Sequence, residues 1–305
     1  MNPIELLLGT AMWAWTVEKS EAFKLLDDFY AAGYRQIDAA TNYPINKNAA
    51  DFRAAEQILL AWIKAHGITD LKVLMKVGSI NNLYTPEHNL SPTFLQIIYN
   101  EYRNLLGSQL DELMIHWDNR EDLQSIRASL EALDRIRQEG IKIGLSGIKH
   151  PEHYAKLNAD FGFDFDIQFK HNLIYSDYQK YKAFQGKQRF LAYGMNAGGL
   201  KFQTQQYHAN SSTKVRGVGA DQHQDFLAQV ATQLADYNQT SGLAPLSHFN
   251  QCSMVFAFYS PDIKGLLIGP SSSQQLADSM RFFQELQAGH HQALYPSLLQ
   301  LQNNG

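Results

Sequence analysis

The chain has very little cysteine, with one residue, Cys252, among 305. A single thiol cannot form a disulfide within the chain, so a scaffold held together by disulfides is excluded. A lone cysteine suits a reducing compartment, where it is usually a small buried apolar residue. We therefore predict that Cys252 is structural, and a chain of this length buries a core large enough to need no cross-links.

The chain also lacks a surplus of positive charge. It has 26 Lys and Arg residues against 30 Asp and Glu residues, which gives a net charge of −4, and it contains no basic run. Nucleic acids require a surface that neutralises phosphates, so the sequence predicts no nucleic-acid partner. The most apolar N-terminal stretch, residues 4–15, is too short to span a membrane and follows no basic segment. We therefore expect a cytoplasmic protein with no membrane partner.

Four segments have apolar residues at the i, i+3, i+4, i+7 spacing of a one-sided helix. Each ends at or before a glycine, which adopts the left-handed turn after a helix without a Cβ clash; these are Gly33, Gly67, Gly107 and Gly140. The predicted core-facing positions are Ala22, Leu25, Leu26, Phe29 and Tyr30; Ala55, Ile58, Leu59, Trp62 and Ile63; Phe94, Ile97, Ile98, Tyr102 and Leu105; and Leu123, Ile126, Leu130 and Leu133. Ser91 followed by Pro92 predicts the start of the third helix.

Eight apolar runs have the length of strands: Ile4–Leu8, Gln36–Asp38, Val73–Val77, Leu113–His116, Ile141–Leu145, Phe165–Phe169, Phe190–Tyr193 and Gly265–Ile268. They lack clean alternation of apolar and polar residues, which is typical of parallel strands buried on both faces. Eight units in 305 residues leave about 38 residues for each strand, helix and pair of loops. The sequence thus predicts an α/β fold, a single-domain (β/α)8 TIM barrel over residues 1–305, with residues 203–221 as a surface loop.

A doubly wound open sheet is the alternative fold, because the same alternation of strands and helices permits it. The G-x-G-x-x-G sequence that marks a dinucleotide-binding sheet of this kind does not follow the first strand. The absence of this motif favours the barrel but does not exclude the open sheet.

Polar residues finish three of the apolar strands: Asp38, Lys76 and His116, while Tyr43 follows Asp38 in the next loop. In a barrel, the carboxyl ends of the strands and their loops form the active site. A phenol has a pKa of about 10, which a nearby Lys ammonium lowers, and a carboxylate holds such a Lys in place. A single Asp or Lys at a strand end is as readily structural as catalytic, a lone His is more often a core residue, and Tyr43 alone indicates little. Together they form a candidate proton-transfer site, in which His116 orients a substrate carbonyl.

At these residues the chain resembles the aldo-keto reductase superfamily, over nearly its whole length. The motifs that carry the resemblance are Leu8-Gly9-Thr10, residues 33–38, Tyr43, Lys76, residues 110–117, residues 140–146, Gln168 with Asn172, Ala192-Tyr193 and residues 267–272. The resemblance implies a barrel that binds NAD(P)H without a Rossmann domain and reduces carbonyls to alcohols. It implies that Tyr43 is the general acid, that Lys76 lowers its pKa, that Asp38 pairs with Lys76, and that His116 contacts the carbonyl.

The resemblance also implies a cofactor site. Tyr193 would stack on the nicotinamide, Ser146 and Gln168 would hold its carboxamide, and residues 194–200 would cover the pyrophosphate. The full set of implied cofactor residues is Gly9, Thr10, Asp38, Ser146, Gln168, Tyr193, Gly194, Gly198, Leu200, Gly269, Ser271, Ser272 and Gln275.

The chain departs from the family pattern at two places in this cofactor site. Gly147 stands where the family usually has Asn. At the adenosine end, Asp278 and Ser279 replace a Glu-Asn pair, and the Arg that many members place near Gln275 is absent. The family default favours NADP(H) over NAD(H), although without that cation a 2′-phosphate loses a bidentate partner.

The implied substrate is a small-molecule aldehyde, ketone or sugar, which would contact Trp13, Tyr43, His116 and Trp117; residues 44–52 would reshape the entrance near Tyr43. We expect a monomer or a weak homo-oligomer. We expect no metal: His150 and His153 are spaced for one helix face without a carboxylate cluster, and His290-His291 lies in a polar tail, so these histidines are predicted to be solvated.

Two other functions remain open. A lyase or aldolase would use Lys76 to form a Schiff base with its substrate. A regulatory subunit would bind the nucleotide without catalysis.

Overall fold

The structure is a computed structural model that describes residues 4–202 and 223–304. The predicted surface loop, residues 203–221, lies outside these residues. The strands are β1 (Glu5–Gly9), β2 (Gln36–Ala40), β3 (Lys72–Val77), β4 (Leu110–His116), β5 (Lys142–Ser146), β6 (Asp166–Lys170), β7 (Arg189–Tyr193) and β8 (Ile263–Ile268). All pair in parallel and in chain order, and β8 returns to β1. The predicted (β/α)8 barrel is confirmed, and the open-sheet alternative is wrong because the sheet closes on itself.

The helices of the described residues are α1 (Lys19–Ala31), α2 (Ala54–His66), α3 (Pro92–Leu106), α4 (Leu123–Arg137), α5 (Pro151–Phe161), α6 (Gln224–Thr240), α7 (Phe249–Tyr259), α8 (Ser273–Gln287) and α9 (Tyr295–Asn304). Among the described residues, the strict alternation of one strand and one α-helix is lost after β6. Only a 3₁₀-helix, Tyr178–Tyr181, joins β6 to β7, whereas α6 and α7 both precede β8. None of the helices within the described ranges combines the length and apolar character that a membrane crossing requires.

The helix ends follow the turn chemistry that the sequence predicts. Gly67 has a φ of 61° and donates its N–H to the carbonyl of Ile63, which closes α2. Ser91 accepts a hydrogen bond from the backbone N–H of Phe94 at 3.3 Å, which caps the start of α3. These predicted boundaries are confirmed, because the left-handed turn and the side-chain cap satisfy backbone groups that the helix leaves unpaired.

The buried face of α3 differs from the prediction. Its buried residues are Leu95, Ile98, Tyr99, Tyr102 and Leu106. Ile97 is 60% exposed and Leu105 is 46% exposed, so their predicted burial is wrong. Both sets of residues fit helical spacing and share Ile98 and Tyr102. The hydroxyl of Tyr102 donates to Glu56 on α2 at 2.5 Å, an interaction that helps to set the rotation of α3.

An apolar layer fills the middle of the barrel. It consists of Leu7, Leu74, Met114, Leu191 and Leu267, which form a cluster separate from the core between the sheet and the helices. Below this layer, at the amino ends of the strands, lie the charged or ionisable residues Glu112, Asp166 and Arg189. Above it, at the carboxyl ends, lies a second polar set that includes Lys76 and His116. The apolar layer therefore closes the barrel from below and makes the upper end the side on which a site can open to solvent.

The lower end of the barrel holds a buried carboxyl group. Glu112 is only 3% exposed, and its Oε1 atom has no hydrogen bond among the described residues. Burial, assisted by the negative charge of Asp166, raises the pKa of Glu112 well above its usual range. Arg189 offsets part of this charge, since its Nε lies 3.3 Å from Asp166 Oδ1. The folded barrel therefore favours a protonated Glu112.

Glu112 makes the stability of the barrel depend on pH. The folded protein retains the proton that an unfolded Glu loses near pH 4.3, so stability falls by about 1.4 kcal/mol per pH unit from that pH up to the folded pKa. Glu112→Gln keeps the shape and cannot ionise. We expect the free energy of unfolding of this variant, measured in urea, to rise relative to that of the natural chain between pH 5 and pH 8.

Glu131→Gln, on the exposed face of α4, is the matched control and should follow the natural chain at every pH. A constant difference between Glu112→Gln and the natural chain across this range would contradict the raised pKa.

Candidate active site

The strand register brings Asp38 and Lys76 to one side of the sheet. Asp38 pairs with Leu74 on β3, and Lys76 lies two residues beyond Leu74, opposite Ala40. Side chains alternate along a strand, so Lys76 and Leu74 face the barrel interior together. The prediction that Asp38 ends its strand is wrong, because β2 continues to Ala40. Asp38 therefore lies deeper in the barrel than Lys76, one step closer to the apolar layer.

Asp38 and Lys76 form a buried ion pair. Lys76 Nζ donates a hydrogen bond to Asp38 Oδ1, and neither side chain is more than 3% exposed. Burial lowers the pKa of Lys76, and the attraction of the Asp38 carboxylate opposes that shift. Gln168 Nε2 donates to the same Oδ1 atom at 2.7 Å. The carboxylate thus holds the ammonium group of Lys76 in one place.

Tyr43 lies above this ion pair, in the loop after β2. Its backbone N–H donates to the carbonyl of Ala40 and its carbonyl accepts from the N–H of Ala55, so main-chain contacts position the ring. Lys76 Nζ lies 4.9 Å from the ring centroid of Tyr43. Tyr43 as a whole residue is 9% exposed. The phenol therefore combines a nearby positive charge with limited access for a ligand.

His116, the last residue of β4, completes the group. Its ring meets the ring of Tyr43 edge to face, with centroids 6.0 Å apart. Burial and the positive charge of Lys76 lower the pKa of His116 well below its usual range. The imidazole is consequently neutral at physiological pH, with one N–H to donate, and its buried Nδ1 has no hydrogen bond within the described chain. The four residues that the sequence predicts as catalytic lie together.

A chain of hydrogen bonds joins two predicted cofactor residues to the ion pair. Ser146 Oγ, at the end of β5, donates to Gln168 Oε1 at 2.9 Å, and Gln168 in turn donates to Asp38. The oxygens of Ser146 and Gln168 keep free lone pairs, so they can accept from the NH₂ of a carboxamide. The pair that the resemblance implies for the nicotinamide carboxamide thus has suitable atoms.

Asn172 shapes the loop that the resemblance assigns to the pyrophosphate. Its Nδ2 donates to the carbonyl of Gly194 at 2.8 Å, and its Oδ1 accepts from the backbone of Ile174 and Tyr175. These bonds occupy the side chain, so Asn172 supports the loop from below. Gly194 has a φ of 83°, which a residue with a Cβ rarely adopts. The loop then continues through Gly198, also at positive φ, to the buried Leu200.

Trp117 explains why Gly147 replaces the usual Asn. A Cβ on Gly147 would lie 2.5 Å from Trp117 Cδ1, and Gly147 has a φ of 66°. The indole occupies the space that a longer side chain would need. Tyr84, in the loop after β3, meets this indole edge to face at 5.7 Å. Tyr84 was not predicted from the sequence, where its only signal is an aromatic residue in a loop on the same barrel face.

Other predicted residues act on the site through the backbone or are enclosed. Thr10 Oγ1 and its N–H both bind the carbonyl of Asp38, at 3.0 and 3.1 Å, which anchors β2 beside β1. A Cβ on Gly9 would lie 3.3 Å from the carbonyl of Ile268, a tight approach that favours glycine. Trp13 is only 1% exposed. Direct contacts of these residues with cofactor or substrate stay predictions.

The predicted adenosine end lies at the start of α8. Ser272 caps this helix by accepting from the N–H of Gln275, and Ser271 donates to Gln275 Oε1 at 3.0 Å. A cavity of about 280 Å³ beside α8 is lined by His248, Asp278, Ser279 and Arg281, among others. A Cβ on Gly269, which precedes the helix, would meet no other atom within 4 Å. Asp278 and Ser279 line this cavity, whereas Gly269, Ser271, Ser272 and Gln275 do not, so adenosine binding at the start of α8 stays a prediction.

Arg281 is a cation that the sequence analysis missed at this cavity. Its Nη2 lies 2.6 Å from Asp278 Oδ1, one helical turn earlier. The signal was the i, i+3 spacing of an Arg from Asp278, a residue that had already been singled out.

Two predictions about buried residues have opposite outcomes. Cys252 is fully buried, and burial raises the pKa of its thiol to about 12, so its structural role is confirmed. His291 was predicted to be solvated, which is wrong. It is 3% exposed, and its Nδ1 lies 3.1 Å from the hydroxyl of Tyr237. The chain after α8 folds back onto α6, a tertiary contact that composition alone does not reveal.

Gly147→Ala tests the role of Trp117 as a wall of the site. Gly162 has a nearly equal φ of 64° but open space around it, so Gly162→Ala measures the cost of the backbone conformation alone, about 1 kcal/mol. Gly147→Ala adds the clash with the indole, and we expect it to lose about 1–3 kcal/mol more in urea unfolding. Equal losses in the two variants would show that the indole moves away freely.

The comparison with known families agrees with this geometry. The model of the aldo/keto reductase family matches residues 5–294. No curated protein matches the chain in a sequence comparison. The match extends from the first residue of β1 to the last residue of the 3₁₀-helix Gln292–Leu294 that precedes α9. The chain therefore belongs to the aldo/keto reductase family, whose members are oxidoreductases that act on carbonyl compounds.

Proposed function

We propose that this protein reduces the carbonyl of a small aldehyde, ketone or sugar to an alcohol with NAD(P)H, and that Tyr43 is the general acid. The observation that supports this most is the meeting of Tyr43, Lys76, Asp38 and His116 at the carboxyl end of one closed barrel. Each of these groups has a distinct part in moving one proton. An arrangement of purely structural residues would not require a phenol beside a buried ammonium.

The cofactor site has the donors and acceptors that a nicotinamide dinucleotide needs. Ser146 and Gln168 hold the carboxamide, and Tyr193 offers a ring at the end of β7. Burial raises the pKa of Tyr193, so its ring stays neutral. Residues 194–200 cover the pyrophosphate, while Gly269, Ser271, Ser272 and Gln275 face the adenosine end. When bound, the nicotinamide supplies the hydride for the carbonyl carbon.

The protein supplies the proton. As the carbonyl oxygen gains negative charge, the Tyr43 hydroxyl donates its proton to that oxygen. The ammonium of Lys76 stabilises the phenolate that remains, and Asp38 keeps Lys76 in position. The neutral imidazole of His116 donates an N–H to the same oxygen. Since these groups are already in place before substrate arrives, little reorganisation accompanies the reaction.

The Schiff-base alternative fits the geometry less well. A nucleophilic amine must be neutral and reach the substrate carbonyl. Lys76 is fully buried, which keeps a substrate carbonyl away from its amine, and its bond to Asp38 opposes the lowering of its pKa by burial. A regulatory subunit that only binds the nucleotide has no need for a proton donor. The group formed by Tyr43, Lys76, Asp38 and His116 therefore favours an enzyme.

Tyr43→Phe tests the proposed acid. The variant keeps the ring and loses the proton, so we expect kcat to fall about 10²-fold to 10⁴-fold while the Kd for the cofactor stays within twofold. Turnover is measured with a panel of aldehydes, ketones and sugars, and cofactor binding by quenching of Trp fluorescence.

Tyr30→Phe is the matched control, because its hydroxyl donates to Asp70 on the outside of the barrel. It should keep full activity. Unimpaired turnover in Tyr43→Phe would rule out the assigned acid.

We also propose that the cofactor is NADP(H), with Arg281 contacting its 2′-phosphate. Arg281 lines the cavity beside α8 and is well exposed, so its guanidinium can turn from Asp278 to a phosphate. Loss of one charged hydrogen bond weakens binding about tenfold. We therefore expect Arg281→Ala to raise the Kd for NADPH about tenfold and to leave the Kd for NADH unchanged.

Arg127→Ala removes an exposed Arg that pairs with Asp160 on α5, and serves as the charge-matched control. Equal weakening of NADPH and NADH in Arg281→Ala would contradict the 2′-phosphate contact.

A further inference from the structure

Two histidines and a glutamate converge at the start of α5. His150 lies just before the helix, as its N-cap residue, while Glu152 and His153 lie in its first turn. One ligand atom from each side chain lies within 4.8 Å of those of the other two. His150 Nδ1 is 3.4 Å from Glu152 Oε1, and the two imidazole rings stack with centroids 5.5 Å apart. The sequence showed the two histidines but not the carboxylate that folds back beside them.

This donor set has the chemistry of a zinc site. Imidazole nitrogens and carboxylate oxygens bind Zn²⁺ at about 2.0–2.2 Å, and tetrahedral ligands at that distance lie about 3.4 Å from one another. The spacing of His150 Nδ1 and Glu152 Oε1 matches this edge. The ligand atoms of the other two pairs lie within 4.8 Å of one another. We propose that His150, Glu152 and His153 bind one Zn²⁺ ion, with water as the fourth ligand.

Glu121 supplies an outer partner for this site. His150 Nε2, the nitrogen on the far side of the ring from Nδ1, is buried and lies 3.3 Å from Glu121 Oε1. Metal-binding histidines usually direct their second nitrogen toward a carboxylate, which orients the ring. Glu121 belongs to the connection between β4 and α4, which Lys149 already contacts by donating its N–H to the carbonyl of Asp118. The ion would therefore tie α5 to this connection, on the barrel face that carries Trp117.

The charges around the site are suited to a divalent cation. The N-terminus of α5 carries partial positive charge, which by itself opposes a cation. The negative charges of the Glu121 and Glu152 carboxylates offset that partial positive charge. The sole thiol, Cys252, is fully buried and does not compete for the metal. The ligands are accessible to the ion, since the side chain of Glu152 is 62% exposed.

Equilibrium dialysis of the full chain against zinc sulfate tests the site. We expect one equivalent of Zn²⁺ per chain, which His150→Ala/His153→Ala loses entirely and Glu152→Gln binds at least tenfold more weakly. Because Zn²⁺ binds only the folded site, zinc at about a hundredfold above its Kd should raise the Tm of the natural chain and leave that of the double variant unchanged. His66→Gln, on α2, removes a histidine outside the cluster and should bind like the natural chain.

Circular dichroism of the metal-free variants checks that each has folded. Co²⁺ substitution is a second measurement, in which a tetrahedral site with two imidazoles gives visible d–d absorption that the double variant lacks. Absence of zinc binding by the natural chain would overturn the proposal, as would one equivalent that the folded double variant retains. Neither result depends on carbonyl reduction, so the metal site and the proposed activity fail or succeed separately.

Discussion

The ion pair between Lys76 and Asp38 is the interaction on which the candidate active site depends. A lone charge at this depth would be strongly unfavourable, and removing either partner leaves the other uncompensated. Asp38 accepts from both Lys76 and Gln168, so one carboxylate oxygen connects the group beside Tyr43 with the group that ends at Ser146. Lys76, which lies beside the ring of Tyr43, is thereby held in one hydrogen-bonded unit with Gln168 and Ser146.

The barrel makes this unit possible through register and layering. Parallel pairing places Asp38 and Lys76 on the same interior side of neighbouring strands, while Thr10 holds the backbone of Asp38 from β1. The apolar layer beneath, which includes Leu74 and Met114, keeps water from reaching the ion pair from the lower end. Glu112 below that layer is a second buried ionisable group, and it avoids an uncompensated charge differently, because burial raises its pKa and favours the neutral, protonated form.

Features that depend on local chemistry could be predicted from the sequence. The helix stop at Gly67 and the polar end of β4 at His116 follow from steric and solvation rules that act within a few residues. Features that depend on distant contacts could not. The rotation of α3 is set partly by the bond from Tyr102 to another helix, and the need for Gly147 arises from Trp117, thirty residues earlier in the chain. The burial of His291 likewise requires a neighbouring helix.

The most direct test of this account is the pH dependence of single-turnover carbonyl reduction in Asp38→Asn/Lys76→Met. The double variant removes both charges of the pair, so no buried charge is left unpaired. If Lys76 stabilises the phenolate of Tyr43, the rate falls by about 10²-fold or more, and its decline at high pH moves to a higher pH. A high-pH decline at the same position as in the natural chain would contradict the account.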